Sequence, residues 1–459
     1  MARNPFHIPQ PELTEELLRS RDVLRRIFLL SFPALMASLM FFSMNFLNYI
    51  MMAVFLDYKA IASYGIVYAY TTLAAGMFLP LAGGTGILLE KAQKKGDHEK
   101  AQKIITTTML LSVIIGAVST VFALLITPGY IWQVVTPEEI KEVTSIFLRY
   151  FSFTFTPILY FSVTTAILIQ CGDRTGPVLA EISALALHLS FSYIFIGLFD
   201  WDIRGCAISA IIAQSAGSLI NTYLVLRQRR NTGVTTPIRI DRDITNELYQ
   251  EERAPFFIAI LAGIFAIFLQ FYIDELGMET IAGFTLFFVF QDLLFIPIHA
   301  TRPPARRLSP EYYEKGGNNA LVAALNPLMI LVVVYALLLI PFARLVGPYF
   351  FMALSHNAEV TEIAMELLNL LTSFYAFYAI SVLLTASLEG LGKQSLTLRF
   401  NIGFNYLIRF AILLLGVKII QGDLSIAFCF PASWALSAAS LSIYYFANYS
   451  IDRPHKYSM

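Results

Sequence analysis

The sequence predicts an all-α polytopic membrane protein: twelve transmembrane helices in two six-helix bundles, related by a pseudo-two-fold axis along the membrane normal. Three observations carry that prediction. Only 14% of the 459 residues are charged and 57% are hydrophobic, where a soluble domain carries roughly 25% charged residues. Apolar runs recur that can cross a hydrocarbon core of about 30 Å, a task for about 20 residues each. Two loop markers repeat at one spacing: Gly96 and Gly316 lie 220 positions apart, and so do Gly172 and Gly392. Six spans return a chain to the side it left, so a repeat of six is parallel, with the substrate site expected between the halves near mid-membrane.

In order, the spans are expected at 27–56, 60–88, 104–127, 144–169, 177–199, 205–226, 254–273, 280–303, 321–346, 358–388, 396–417 and 424–447. The chain then divides into an N-terminal segment (1–26), a first lobe (27–226), an inter-lobe loop (227–253), a second lobe (254–447) and a tail (448–459). The N-terminal segment is polar and mixed in charge, so it reads as no cleaved signal peptide; residues 11–28 read as a short amphipathic helix leading into span one. Pro33, Pro80, Pro157, Pro297 and Pro431 mark irregular points that should face protein or a cavity.

Lysine and arginine set the orientation. The gaps on the N-terminal side hold 25 of them and the other side 5, with Arg149 and Arg409 inside spans. The positive-inside rule places both termini in the cytoplasm of a multi-pass protein of the cell membrane. The charged island EKAQKKGDHEKAQK (90–103) is then a cytoplasmic loop, solvated along its charged face.

Enzyme chemistry is not expected. The chain has no Walker A, GxSxG or HExxH pattern. Cys171, Cys206 and Cys429 are odd in number and lack CxxC spacing, which argues against disulfides and a metal site and for small buried residues. No metal, cofactor or nucleic-acid partner is expected. The expected partners are lipid and a small-molecule substrate, and the chain is expected to work as a monomer.

Ionisable groups inside spans cost a few kcal/mol and face a cavity or a partner. Glu181, His188 and Ser192 are spaced by 7 and 4, one face of span five; a carboxyl in a low-dielectric setting there can load and release a proton near neutral pH. Asp292, His299, Arg302 and Arg306 share a face of span eight, a polar wall or, for Arg306 and Arg307, merely cytoplasmic basic residues. Span one offers Ser38, Asn45 and Asn48, which can coordinate a cation or substrate or serve as interhelical glue. Glu366, Asn369, Tyr378, Asn401, Asn405 and Arg409 are further cavity candidates; Arg409 meets either a carboxylate or an anionic substrate.

EKAQKKGDHEKAQ between spans two and three, QCGDRTGPVLAEISALALHLSFSYIFIG with RGCAISAIIAQ across spans five and six, and LEGLGKQSLTLRFNIG entering span eleven together resemble the MATE (multidrug and toxic compound extrusion) transporters, of the multidrug/oligosaccharidyl-lipid/polysaccharide flippase superfamily. The resemblance covers most of the chain. It implies export of small organic compounds by proton or sodium antiport, through two lobes that alternate access. It also implies where coupling groups should stand. Asn48 occupies the position of the span-one Asp, His188 and Ser192 those of an Asn and an Asp in span five, and Tyr378 lies near that of an Asp in span ten. The coupling candidates are therefore Asp292, Glu181, His188, Asn48 and Ser192, with H+ or Na+ as the transported ion. Three alternatives stand beside this reading: an anionic-substrate or lipid-linked oligosaccharide flippase of the same superfamily, a major-facilitator-type transporter, and a paralogue without transport.

Overall fold

An α-helix satisfies its backbone N–H and C=O groups within its own segment, as lipid demands of any spanning structure other than a closed barrel. The computed structural model describes residues 20–76, 79–134, 137–231, 237, 239–419 and 424–449, and helices are the only regular structure among them. Residues 11–19, part of the expected lead-in helix, lie outside the described residues.

Span one is Ser20–Phe55, span two Tyr58–Gly76 with Leu79–Lys94, span three His98–Val134. Span four joins Glu138–Phe151 to Phe155–Gln170 through a 3-10 turn; span five is Thr175–Ser192 with a π-helical end, Tyr193–Leu198; span six is Asp202–Asn231. The second half follows the same plan. Span seven is Arg242–Asp274, and span eight begins as Met278–His299 and continues into the helix Arg302–Ser355. That helix is kinked at Gly316 and Gly317, where span nine begins. Span ten is Ala358–Thr372 with Tyr375–Gly390, bent by 55°. Span eleven runs through a π-helical stretch, Asn401–Ile408, between Gln394–Phe400 and Arg409–Ile419; span twelve is Leu424–Ala427 with Cys429–Tyr449.

The repeat is visible in the backbone. Left-handed φ values occur at Gly96 (67°), Gly172 (90°), Gly317 (62°) and Gly392 (77°), a conformation that costs an L-residue roughly 1–2 kcal/mol. The left-handed partner of Gly96 is thus Gly317, one residue beyond the Gly316 expected from the repeat. Spans four and ten are interrupted at corresponding points, which no sequence marker foretold.

Several expectations need correction. Span eight does not run unbroken to Pro303: its helix ends at His299 and the next starts at Arg302, with Pro303 and Pro304 in its first turn. Proline lacks an N–H and is tolerated where the helix makes no use of one; Pro80, Pro157 and Pro431 likewise sit in first turns. Nor is 227–253 loop throughout. The Asp241 side chain accepts from the N–H groups of Asp243 and Ile244, capping a helix that extends span seven by about three turns below its apolar stretch. Ile244 and Leu248 of that extension bury against Leu88, Leu89 and Ala92 of span two and Ile104 of span three. Its acidic face pairs with the charged island, Glu251 with Lys91 and Glu247 with Lys100, so the island is docked rather than simply solvated. Cys171 departs from expectation too: it is exposed, whereas Cys206 and Cys429 are buried.

One cluster of buried apolar side chains runs through both halves. Span two lies against spans seven and eight with glycine at each crossing: a Cβ on Gly65 would stand 1.8 Å from Thr285 Oγ1, and one on Gly263 would stand 2.4 Å from the Cα of Leu73. Side chains tie the halves at both ends, Arg26 to Glu311 (2.6 Å) on the side of the termini and Tyr58 to Glu279 (2.9 Å) on the other.

Two predictions follow from this packing. Gly263→Ala should destabilise the protein by about 1–3 kcal/mol through overpacking, read as a lower melting temperature in detergent; an unchanged value would mean the crossing is looser than described. Glu252, on the span-seven extension, packs against Gly84. Burial and the neighbouring Glu251 charge push its carboxyl up to about 7, Arg306 working the other way. A carboxyl raised above its usual 4.5 binds a proton more tightly in the fold than in the unfolded chain. Its stabilisation is therefore full below about pH 4.5 and lost as pH rises towards 7. Glu252→Gln should raise the melting temperature at pH 8 and leave it nearly unchanged at pH 4.5; equal effects at both values would refute the assignment.

Candidate functional site

A polar side chain in the interior of a membrane protein must find its partners in the protein, so the hydrogen bonds of the buried polar residues trace the site. In the first half, the face of span five chosen by sequence spacing is the buried one: Glu181 is 5% exposed, His188 and Ser192 0%. His188 Nδ1 lies 3.0 Å from Ser209 Oγ, and Ser192 Oγ 2.6 Å from the same oxygen. One turn earlier on span six, the thiol of Cys206 donates to Asn48 Oδ1 of span one at 3.1 Å, and Asn48 Nδ2 donates to the Tyr64 hydroxyl of span two at 3.2 Å. His188 Nε2 is buried without a hydrogen-bond partner among the described residues. This network is built from neutral groups that can each give or take a hydrogen bond. Glu181 stands apart from it, two helical turns below His188. The side chain of Asn45 lies outside the described residues.

Tyr64 leads from this network to the second half. Its ring meets Tyr49 edge-on at 4.7 Å. One turn further along span two, the Tyr68 hydroxyl donates to Asp292 Oδ2 at 2.9 Å. Asp292 is partly buried, and among the described residues no cation lies within ion-pair distance of it. A protonatable group on span eight is thus held by a residue of the other half.

Beyond Asp292 the second half carries an aromatic wall. Phe295 stacks on Tyr378 at 4.3 Å, Tyr378 meets Trp434 at 5.3 Å, and Trp434 meets Phe430 at 5.9 Å. His299 Nε2 lies 2.8 Å from the Tyr378 hydroxyl. His299 keeps accessible surface. Arg409 closes the wall at the end of the π-helical segment. Its Nε donates to Ser433 Oγ at 2.8 Å, and its guanidinium sits over the rings of Phe430 (4.9 Å) and Phe265 (5.6 Å).

Several candidates fall outside these clusters. Arg302 and Arg306 leave the stripe they were expected to share with Asp292, because the helix ends at His299. Arg302 is about half exposed and only 3.9 Å from Glu389, and Arg306 is exposed. Glu366 and Asn369 lie on the exposed face of their helix, away from Tyr378. Asn405 donates to Asn401, which donates to the Thr397 carbonyl, so this pair serves its own wide helical turn. Sequence reading missed Tyr64, Tyr68, Cys206, Ser209, Phe295, Phe430 and Trp434. Its one available signal was the small-residue run GCAISA (205–210) in span six.

Ser209 is the hub of the first network. Ser209→Ala would leave His188 Nδ1 without that partner, a buried unmet group costing about 1–3 kcal/mol; a melting temperature equal to the wild type would show that the hub carries no load.

Comparison with known proteins agrees with this geometry. The MatE family model matches residues 33–194. The probable multidrug resistance protein YoeA of Bacillus subtilis (strain 168) is 24% identical over 210 residues, a stretch that spans 44% of either chain. Among solved structures, the inward-facing conformation of a multidrug resistance MATE family transporter superposes with a TM-score of 0.79 at 16% identity, covering 88% of this chain and 93% of that one. A transporter of the MOP superfamily from Pyrococcus furiosus, described as having a binding pocket of reverse polarity, superposes with a TM-score of 0.75 at 18% identity over 95% and 98%. The fold is shared with these structures. The loop motifs, the MatE model over residues 33–194 and the fold shared with the solved MATE transporters over most of the chain therefore agree with one another.

Proposed function

We propose that the protein is a secondary active exporter that moves small organic compounds out of the cell in exchange for protons, with Asp292 as the coupling carboxylate. The observation that carries this reading is the Tyr68–Asp292 hydrogen bond, because it joins a titratable group to the contact between the halves. An ionised carboxylate accepts a charge-assisted bond from the Tyr68 hydroxyl, roughly twice as strong as a neutral one. Protonation removes that advantage and loosens span eight from span two. Proton loading and the separation of the halves are thereby the same event.

The ties at the two ends suit alternation. Arg26–Glu311 and Lys91–Glu251 lie at the end we take as cytoplasmic, and Tyr58–Glu279 at the other. Partly exposed pairs of this kind contribute about 0–1 kcal/mol each, so opening one end costs little against a proton gradient. The neutral network around His188 would pass or store a proton, with Asn48 and Ser192 setting its geometry. The imidazole of His188, with one buried nitrogen unbonded among the described residues, is the titratable member of that network and favours a proton over sodium as the coupling ion.

An efflux-deficient host expressing the protein should be protected against some members of a panel of amphiphilic compounds. In inverted vesicles, uptake of a protected compound should follow an imposed pH gradient and ignore a sodium gradient. Asp292→Asn should reduce that gradient-driven uptake at least tenfold, Glu181→Gln much less. Undiminished uptake in the Asp292→Asn variant would remove the coupling assignment.

A further inference from the structure

Arg409 is a permanent cation in span eleven, and charges at such depth are retained where they meet a partner or a ligand. Among the described residues no carboxylate lies within ion-pair distance of it. What holds it is Ser433, through Nε alone, and the faces of Phe430 and Phe265. A guanidinium carries five donors in a planar fork matched to carboxylate and phosphate oxygens. The Nη groups of Arg409 have no hydrogen bond to a described residue, so the part of the fork suited to a two-pronged grip on an anion stays available. The rings orient the group without neutralising it.

The surroundings continue the same chemistry. Asp292 is engaged by Tyr68, and the acidic residue nearest to Arg302, Glu389, stands off at 3.9 Å. The wall from Phe295 through Tyr378 and Trp434 to Phe430 is continuous and ends at the guanidinium. At its other end stands His299, which keeps accessible surface and whose imidazole adds a donor when its tautomer or charge allows. A site for an organic cation would place a free carboxylate against such a wall; here Asp292 is engaged by the Tyr68 hydroxyl, and the charge lying on the aromatic faces is the guanidinium.

We infer that this second-half pocket takes an amphiphilic organic anion, its carboxylate or phosphate held by the Nη groups of Arg409 and its apolar or aromatic body laid along Phe430, Trp434 and Tyr378. The inference deepens the export reading by naming a substrate class. Binding can be measured with no gradient present, so it stands or falls independently of the coupling role given to Asp292.

The test uses the purified full chain in neutral detergent, with 2-naphthoate and the 2-naphthyltrimethylammonium ion as probes of matched body and opposite charge, followed by calorimetry. The expected result is that naphthoate binds more tightly than the cation. Arg409→Met should weaken naphthoate binding roughly tenfold or more, the effect of losing hydrogen bonds to a charged group. Arg409→Lys keeps the charge but not the fork, and should lose part of the affinity while preserving the fold. Ser433→Ala, which frees Nε but leaves the fork, should bind naphthoate within about threefold of wild type. Preference for the cation, or naphthoate affinity unchanged in Arg409→Lys and Arg409→Met alike, would overturn the inference. A competition arm assigns the source of the anion: displacement of naphthoate by short-chain phosphatidylglycerol, lost with Arg409→Lys, identifies a lipid headgroup, and displacement by soluble aryl phosphates alone identifies a free solute.

Discussion

The close crossing of span two with spans seven and eight is the contact on which the rest of the structure depends. Glycine makes it possible at two points, Gly65 under Thr285 and Gly263 under Leu73, where even a methyl group would collide with the facing helix. In lipid, helices gain little from hiding apolar surface from one another, so close backbone approach and polar contacts carry association. This crossing supplies both. With Gly65 against Thr285, Tyr68 comes to lie opposite Asp292, two turns along span eight, and the two halves acquire a shared polar contact deep in the bundle.

From that contact the polar interior divides by charge. The first half holds a neutral network in which Ser209 serves His188 and Ser192, Asn48 bonds Tyr64 and Cys206, and His188 keeps one nitrogen in reserve. The second half holds Asp292, tied across the interface, and Arg409, propped on aromatic rings. Tyr64 and Tyr68, one turn apart, face one cluster each. A change in protonation on either side therefore acts on the same helix, which also carries the crossing between the halves.

The irregular helices belong to the same logic. The π-helical stretch before Arg409 and the one after Ser192 sit beside the two clusters, and wide turns of that kind occur often at functional sites. The interruptions of spans four and ten, and the proline-led restarts after His299 and Ala427, let a span change direction while its freed backbone groups face protein. Span seven's extension serves another purpose: it carries acidic residues down to the charged island and buries Leu248 there, fastening the second half to the first on the side of the termini.

The sequence by itself determined the membrane class, the spans, the duplication and the buried face of span five, because apolar length and helical periodicity are local properties. Gly172 and Gly392 could be read as turn residues for the same reason. It also drew attention to Asp292, His188 and Arg409, since an ionisable group in an apolar run is conspicuous without any structure. Tertiary structure alone decided which of these meet. Tyr64, Tyr68, Ser209 and Cys206 are ordinary helix residues by pattern, and only the approach of spans one, two, five, six and eight makes them partners. The ending of a helix at His299 scattered a stripe that seven-residue spacing had drawn as continuous, because a break of two residues resets the rotation of everything after it. Whether Arg409 would meet a carboxylate or stand free to hold an anion lay in the packing of spans seven, eleven and twelve, where the neighbours turned out to be two phenyl rings and a serine.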